Sequence, residues 1–571
     1  MKGSSSLPFW EIKEQSEQKV NEIVKLSGLP EIAVRVLINN GLTDLEKIKN
    51  FLNIKAENMH SPFLFKDMEK AVAIIKAAIF KNEKIAIYGD YDVDGVTSVA
   101  LLYLYLSSKG VEVSFYIPDR SDEGYGINKS ALDKLKNDGV DLIITVDSGI
   151  TACEEIAYAY EIGMQVIVTD HHECKTQVPV CEAVINPKVD EGYPFSGLAG
   201  VGVAFKLVCA LEGEDNTTAI LNNYGDIIAL GTVADVMPLV DENRIITSIG
   251  VSKLNKRNGI LGIRALLYAA GIEKSKKVNT STISFVLSPR INAAGRMGSA
   301  QKALELFLAD TPDSSLEIAQ HLCRENTARQ ETENVIYTQA IEQFKSTYDP
   351  DKDLVCILHG ENWHQGIIGI AASKIADRFN VPTILISTQD GIGKGSGRSI
   401  KGFNLYEALE SCKDCLIKFG GHELAAGMSI CVDKIPEFKE KINRYASENI
   451  DKSLLNPVIC AECRADLKDI NIETINTLKR FEPYGVANPD PVFYLDNVEI
   501  TYTSAVSEGK HTKFSAFSEN GNIPAIFFNQ KFSEFSFKAG DKIDIMCRFD
   551  INEFKGAKTP QMLVKAVRAH Q

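Results

Sequence analysis

The sequence lacks the marks of a membrane or secreted protein. No apolar run reaches 18 residues, so no membrane span is expected. The opening MKGSSSLPFW has no basic-then-apolar layout of a secretory signal, and a cytoplasmic enzyme or assembly component is expected. Twelve cysteines scattered over 571 residues exclude a disulfide framework. Excess positive charge is missing as well. With 62 Lys and Arg against 76 Asp and Glu the net charge is −14, which argues against a generic polyanion-binding surface. A nucleic-acid partner would have to be held by local basic patches and by metal. No Ser/His/Asp triad, P-loop, dinucleotide fingerprint or internal repeat is evident. Two CxxC pairs occur, Cys412/Cys415 and Cys460/Cys463. The first lies in an apolar helical pattern, which favours core packing over tetrahedral zinc.

What is present is concentrated at Lys84–Gly95, KIAIYGDYDVDG. Ile85, Ala86, Ile87 and Tyr88 suit a short strand buried on both faces. Asp90, Asp92 and Asp94 then place three carboxylates within five residues, before Val96–Leu106 resumes as an apolar run of helical length. Like charges this close need cations or shifted pKa values. A hard divalent metal meets that need, and an acidic loop capping a helix is the plainer alternative. Strands and helices go on alternating. Val111–Ile117 closes on Asp119 and Arg120, Val140–Val146 on Asp147, Met164–Val168 on Asp170-His171-His172, and Ala183–Ile185 on Asn186. The pattern predicts an α/β fold with a doubly wound parallel sheet. Ligands of such sheets bind beyond the carboxyl ends of the strands, and four successive strands ending in acids predict a metal site there. Asp235 follows an apolar helix and reads equally well as a solvated helix end.

Residues 1–65 read as short helices, Glu11–Ser27, Pro30–Asn39 and Asp44–Phe51, ahead of the sheet domain at 66–312. A basic stretch from Lys253 ends in RINAAGR, a small-residue turn whose Arg290 and Arg296 suit phosphate recognition. Residues 313–350 predict one long connecting helix with a Ser314/Glu317 capping box and a polar middle, Arg324–Asn334. A second, smaller α/β domain follows at 351–447, with strands Val355–Leu358 and Thr383–Ile386. Its glycine-rich loops present Lys394, Ser396, Arg398 and His422, which suit phosphate but also fit ordinary tight turns. Residues 455–571 turn to short strands with Lys513, Phe514, Phe527, Phe528, Lys531, Arg548 and Lys555 interleaved. An OB-like β-barrel is expected, its aromatics serving either to stack bases or as core.

GDYDVDG, TVDSG, TDHHE and then Asp235 resemble, in order, the four motifs of the DHH phosphoesterase superfamily. RINAAGR, WHQGIIGIAASKI, GKGSGRS, FGGHELAAG and Glu482–Pro489 extend the similarity, from about residue 40 onward, to the single-stranded-DNA exonucleases of that superfamily. The resemblance implies a 5′→3′ exonuclease of DNA repair and recombination that releases mononucleotides, using one or two Mn²⁺ or Mg²⁺ ions. It implies Asp92, Asp94, Asp147, His171 and Asp235 as metal ligands, with Asp90, Asp170 and His172 as ligands or orienting neighbours. Asp92, Asp94, His171, His172 and Arg296 are the implied catalytic residues. Arg296, Ser396, Arg398, His422, Asn292 and Lys394 are the implied holders of DNA phosphates. Tyr88 stands four residues before Asp92, where phosphatase-type members carry a histidine, so the number of ions stays open. Also implied are a monomer and, as partners, single-stranded DNA, a helicase and a single-strand-binding protein. Two other readings remain. One is a superfamily enzyme acting on short oligonucleotides, cyclic dinucleotides or pyrophosphate, against which the barrel counts. The other is a non-catalytic replication scaffold, against which the full set of acids counts.

Overall fold

The structure, a computed structural model, describes residues 8–119, 123–124, 126–174, 177–350, 352–517, 521–554 and 556–570. The chain divides into two compact units. One comprises Trp10–Asn292, Ala300–Gln320 and Cys460–Gln571; the other comprises Ala293–Ser299 and His321–Ile459 with the first residues of the chain.

In the first unit Ile85–Tyr88 is a strand buried at every residue. It is second in a five-stranded sheet ordered Val113–Tyr116, Ile85–Tyr88, Leu142–Val146, Gln165–Thr169, Ala183–Ile185, all pairs parallel. The order reverses between Ile85–Tyr88 and Leu142–Val146. Loops leaving those two strands diverge to opposite sides, which opens a crevice at their carboxyl ends. Asp90–Asp94 follows one strand and Asp147 the other. Helix Val93–Ser108 is buried along most of its length, packed by Gly200–Glu212 and Thr217–Ala234, which accounts for its unbroken apolar run. The Gly200–Glu212 helix is anchored by buried Lys206, whose Nζ donates to Glu242 and, at 2.7 Å, to the His60 carbonyl.

At the start of the chain Phe9–Ile12 is a strand, so the helix expected from Glu11 spans only Glu17–Ser27. Helices Glu31–Asn39 and Leu45–Leu52 follow. Their apolar faces do not form a separate domain. Val20, Ile23, Val34 and Leu37 share one core with Phe493, Phe514 and Ile545 of the C-terminal strands. Those strands pair in the order Phe493–Val506, His511–Ala516, Ile523–Phe527, Ala557–Ala569, Lys542–Phe554, and the last pairs back onto the first. The result is the closed five-stranded barrel of the OB type. The aromatics divide between two roles: Phe514 is core and Phe527 packs against it, while Phe528 and Tyr502 are exposed. Lys555 and Arg120 lie outside the described residues.

The second unit is built on a five-stranded sheet ordered Leu416–His422, Ala425–Cys431, Ile392–Arg398, Thr383–Gln389, Cys356–Glu361, with helix Gln365–Phe379 packed on it. The two glycine-rich segments expected as loops are therefore strands. Their alternation explains it: Gly393, Gly395 and Gly397 face the core, and Lys394, Ser396 and Arg398 share the opposite face. A Cβ on Gly397 would lie 2.7 Å from Leu405 Cδ2, so the sheet closes on the core only with glycine there. Cys412 and Cys415 are buried in that core. RINAAGR is likewise helical, within Ser288–Met297, because Ile291, Ala293 and Ala294 are buried along one side.

The long helix runs Pro312–Thr347. Its first turn is capped by Thr311, whose Oγ1 accepts from the Ser314 N–H at 3.2 Å, and not by Ser314 itself. Its polar middle is not solvated all round: Asn326, Arg329 and Glu333 are buried, with Arg329 Nη1 2.9 Å from Glu333 Oε2. Among the described residues no helix is long and apolar enough to cross a membrane.

Candidate metal centre

The first unit gathers its acids at the reversal point of the sheet. Asp92 caps the Val93–Ser108 helix, accepting from the Gly95 N–H at 3.0 Å. A Cβ on Gly95 would come 2.5 Å from the Asp90 carbonyl oxygen, so only glycine allows the loop to fold back this tightly. Asp94 lies in the first turn of that helix and is gripped by the N-terminus of another. The Gly200 N–H donates to its Oδ2 at 2.6 Å and the Val201 N–H to its Oδ1 at 2.9 Å. Asp147 follows its strand with φ +56, a conformation Asp tolerates better than most residues.

Asp170 spends both oxygens on its surroundings. Oδ1 accepts from the His171 and His172 N–H groups at 2.7 and 3.1 Å, and Oδ2 from the Ile150 N–H at 2.9 Å. Its Oδ1 also lies 2.8 Å from His172 Nδ1. His171 is thereby turned into the crevice, with Nε2 3.1 Å from Asp147 Oδ1, 3.5 Å from Asp235 Oδ2 and 3.8 Å from Asp94 Oδ2. Asp90, Asp92 and Asp147 bring ligand atoms within 4.8 Å of one another, and so do Asp94, His171 and Asp235, and Asp147, His171 and His172. Of the sequence-predicted residues, the five implied ligands meet here with Asp90 and His172, and Asp170 stands behind His172. Asp119 stays outside these groups, in a local turn where its N–H donates to Glu123.

The protonation states show what such a cluster requires. Burial, then the charges of Asp235 and Asp92, push Asp94 well above the carboxylate range. Burial, then the charges of Asp94 and Asp92, do the same to Asp147. Asp235 is pushed up to about 7 by burial and by Asp92. His171 is driven down to about 3 by burial and by His172, so its ring is neutral and the short distances to the carboxylates are not ion pairs. His172 moves the other way: burial lowers it, but its bond to Asp170 and the charges of Asp170, Asp235 and Asp92 together outweigh burial. Nε2 of buried His171 has no hydrogen-bond partner among the described residues, nor does Asp147 Oδ1. Unpartnered buried donor atoms cost free energy unless something else satisfies them. A neutral imidazole among carboxylate oxygens is the donor chemistry of a divalent cation site.

The phosphate-type residues form their own group in the second unit. Arg296 Nη1 donates to the Gly366 carbonyl at 2.8 Å, at the start of helix Gln365–Phe379. A Cβ on Gly369 would meet Ser396 Oγ at 2.8 Å and Arg398 Nη2 at 3.2 Å, so the first turns of that helix lie directly on the Lys394/Ser396/Arg398 face. His422 stands in register with Ala425, itself in register with Arg398. Asn292 is half-buried in the first unit. The sequence reading missed Gly200, Val201, Gly366 and Gly369. Their signal was small residues at the start of apolar helices, where backbone must approach a neighbour closely.

Site and chain together define the class. Residues 84–232 match the model of the DHH family, N-terminal domain, and residues 351–448 that of the DHHA1 domain, as in a DHH phosphoesterase. Residues 461–566 match the RecJ OB domain. The single-stranded-DNA-specific exonuclease RecJ of Bacillus subtilis is 36% identical over 97% of this chain and 70% of its own length. The RecJ of Escherichia coli is 32% identical over 96% of this chain and 97% of its own. The crystal structure of Thermus thermophilus RecJ in complex with Mn²⁺ aligns over 99% of this chain and 80% of its own, at 26% identity and TM-score 0.84. That protein with Mg²⁺ aligns over 99% and 79%, at 25% identity and TM-score 0.79. The chain belongs to the RecJ family of single-stranded-DNA-specific exonucleases, and is by that membership a metal-dependent nuclease.

Proposed function

We propose that the chain degrades single-stranded DNA 5′→3′ to mononucleotides, with Mn²⁺ or Mg²⁺ held by Asp92, Asp94, Asp147, His171 and Asp235. The observation that carries this is the buried, neutral His171 ring with three carboxylate oxygens within 3.8 Å of Nε2. Asp90 would add a further ligand beside Asp92 and Asp147. Asp170, with both oxygens engaged, suits the orienting role. Such ions supply a water that deprotonates near neutral pH and charge neutralisation at the scissile phosphate.

The chain's own residues do the rest. The amides of Gly200 and Val201 hold Asp94 in place before any ligand arrives, so little reorganisation remains. Asp170 accepts from the backbone N–H groups of both histidines and holds the His172 ring through Nδ1, in the manner of carboxylates behind metal-ligating imidazoles. His172, held by Asp170 beside the crevice, would be the general acid for the leaving oxygen. In the second unit Arg296, Arg398, Ser396, His422 and Lys394 would hold phosphates, the arginines as planar forks, and Asn292 would do so in the first. On the barrel, Tyr502, Lys513 and Phe528 offer stacking and charge for the strand farther along. A cytoplasmic monomer acting on strands exposed by a helicase or coated by a single-strand-binding protein completes the reading, supported by family membership alone. The test is manganese-dependent release of labelled mononucleotides from 5′-labelled single-stranded DNA. Release from duplex at an equal rate, or no release, would reject it.

A further inference from the structure

The residue after Asp235 is strained and exposed at once. Val236 has φ +58, in the left-handed region that a β-branched side chain enters only under strain. It occupies the position just past the Thr217–Ala234 helix and its cap Asp235, where glycine is the usual occupant. Burial does not offset the strain, because Val236 is 66% exposed. Glycine would remove the strain and sacrifice no packing.

The surroundings hold the conformation from both sides. The Asp235 N–H donates to the Gly231 carbonyl at 2.9 Å and the Met237 N–H to the Thr232 carbonyl at 3.4 Å. Beyond it, Asn243 Nδ2 donates to the Pro238 carbonyl at 3.0 Å and the Leu239 N–H to the Val486 carbonyl at 2.8 Å. The last contact gives the Glu482–Pro489 motif a structural role, since its turn braces the segment leading away from Asp235. A strained residue fixed by its neighbours, one position from the chemistry, points to function.

We propose that Val236 is a substrate-contacting residue whose isopropyl group packs against the base of the terminal nucleotide while that nucleotide's phosphate is at the acid cluster. This rests on the exonuclease reading above. An apolar side chain meets a base by its face, and every base has one, so the contact positions any nucleotide without selecting among them. That suits an enzyme that removes each residue of a strand in turn. It also separates a nucleotide end from a bare phosphate, which has no face to offer.

The test uses the full chain with Mn²⁺ and two single-stranded oligonucleotides, one ordinary and one abasic at its 5′-terminal residue. Val236→Gly should lower kcat/KM on the ordinary end by about tenfold, mainly through KM, the loss expected for one apolar group against a ligand. On the abasic end variant and wild type should be indistinguishable. Mn²⁺ affinity should be unchanged, and the melting temperature should not fall. Should glycine loosen the segment and lower the melting temperature, Val236→Asn, which tolerates the same backbone without an isopropyl group, should give the same kinetic pattern. Equal cleavage of the ordinary end by variant and wild type would overturn the proposal. An equal loss on both substrates, or weakened Mn²⁺ binding, would overturn it in favour of a purely structural role. Failure of the wild type to cleave either oligonucleotide would remove the exonuclease reading and the proposal together.

Discussion

His171 Nε2 stands 3.1 Å from Asp147 Oδ1 because their strands are in register neighbours. Leu142–Val146 pairs in parallel with Gln165–Thr169, Val146 beside Thr169, so Asp147 and the Asp170–His172 triplet leave the sheet at the same level. The contact links local sequence to chemistry: two strand ends that are distant in the chain become one donor set, and Nε2 of His171 gains no protein hydrogen bond among the described residues.

The acid cluster should make the metal-free protein less stable as pH rises. Asp235 titrates near 7 when folded against an ordinary value of 3.8. Between those values the folded chain holds more protons than the unfolded one, so stability is full below the lower value and is lost as pH climbs through the higher. The melting temperature without metal should therefore fall from acid to neutral pH, and added Mn²⁺ should restore more of it at the higher pH. Asp235→Asn should flatten the profile and raise stability at neutral pH by on the order of 2 kcal/mol while abolishing cleavage. A profile identical to that of the wild type would remove Asp235 from the cluster.

Gly200 should be intolerant of any side chain. A Cβ there would lie 2.5 Å from Asp147 Cβ and 2.6 Å from its Oδ1. Gly200→Ala should move Asp147 and weaken Mn²⁺ binding by about 10–100-fold, the loss typical when support of a ligand is disturbed. Calorimetric titration measures this directly, and unchanged affinity would show that the loop shifts freely.

Arg398 should matter more to turnover than to binding. The proposed role of Arg398 is to offset charge growing on a phosphate, one of many contacts to the strand, so Arg398→Ala should lower kcat by about 10²–10³ with little change in Kd for single-stranded DNA. Parallel losses in both would mean that Arg398 contributes uniform binding.

The grip proposed for the barrel is best tested on its surface. Because its core is shared with the N-terminal helices, deleting it would expose Val20, Ile23 and Leu37. Tyr502→Ala and Phe528→Ala should each weaken binding of a long single strand by about 1–3 kcal/mol and leave cleavage of very short oligonucleotides unchanged. Equal effects on long and short substrates would place the strand elsewhere.

Much of this was legible in the sequence for physical reasons. Apolar runs ending in acids fixed the parallel sheet and the identity of the cluster, since strand ends on one edge of a sheet must meet. Lys394-Gly-Ser396-Gly-Arg398 reads as a loop because glycine is a turn residue by composition, and the structure makes it a strand. Its period of two, with glycines facing a crowded core, was the strand signal. The polar middle of the long helix looked solvated because Arg329 and Glu333 hide their charges in each other, which residue type alone does not report. The packing of Val20 and Leu37 against the barrel was invisible, as contacts between chain ends leave no local pattern.

The central claim is that His171, Asp94, Asp147 and Asp235 share a divalent cation. Anomalous diffraction at the manganese edge, from crystals of the full chain grown with Mn²⁺, tests it most directly. A peak is expected in direct coordination contact with His171 Nε2 and flanking carboxylate oxygens, lost in His171→Ala together with nuclease activity. Cleavage-competent crystals with no peak at that nitrogen, or a His171→Ala variant that keeps both the peak and its activity, would contradict it.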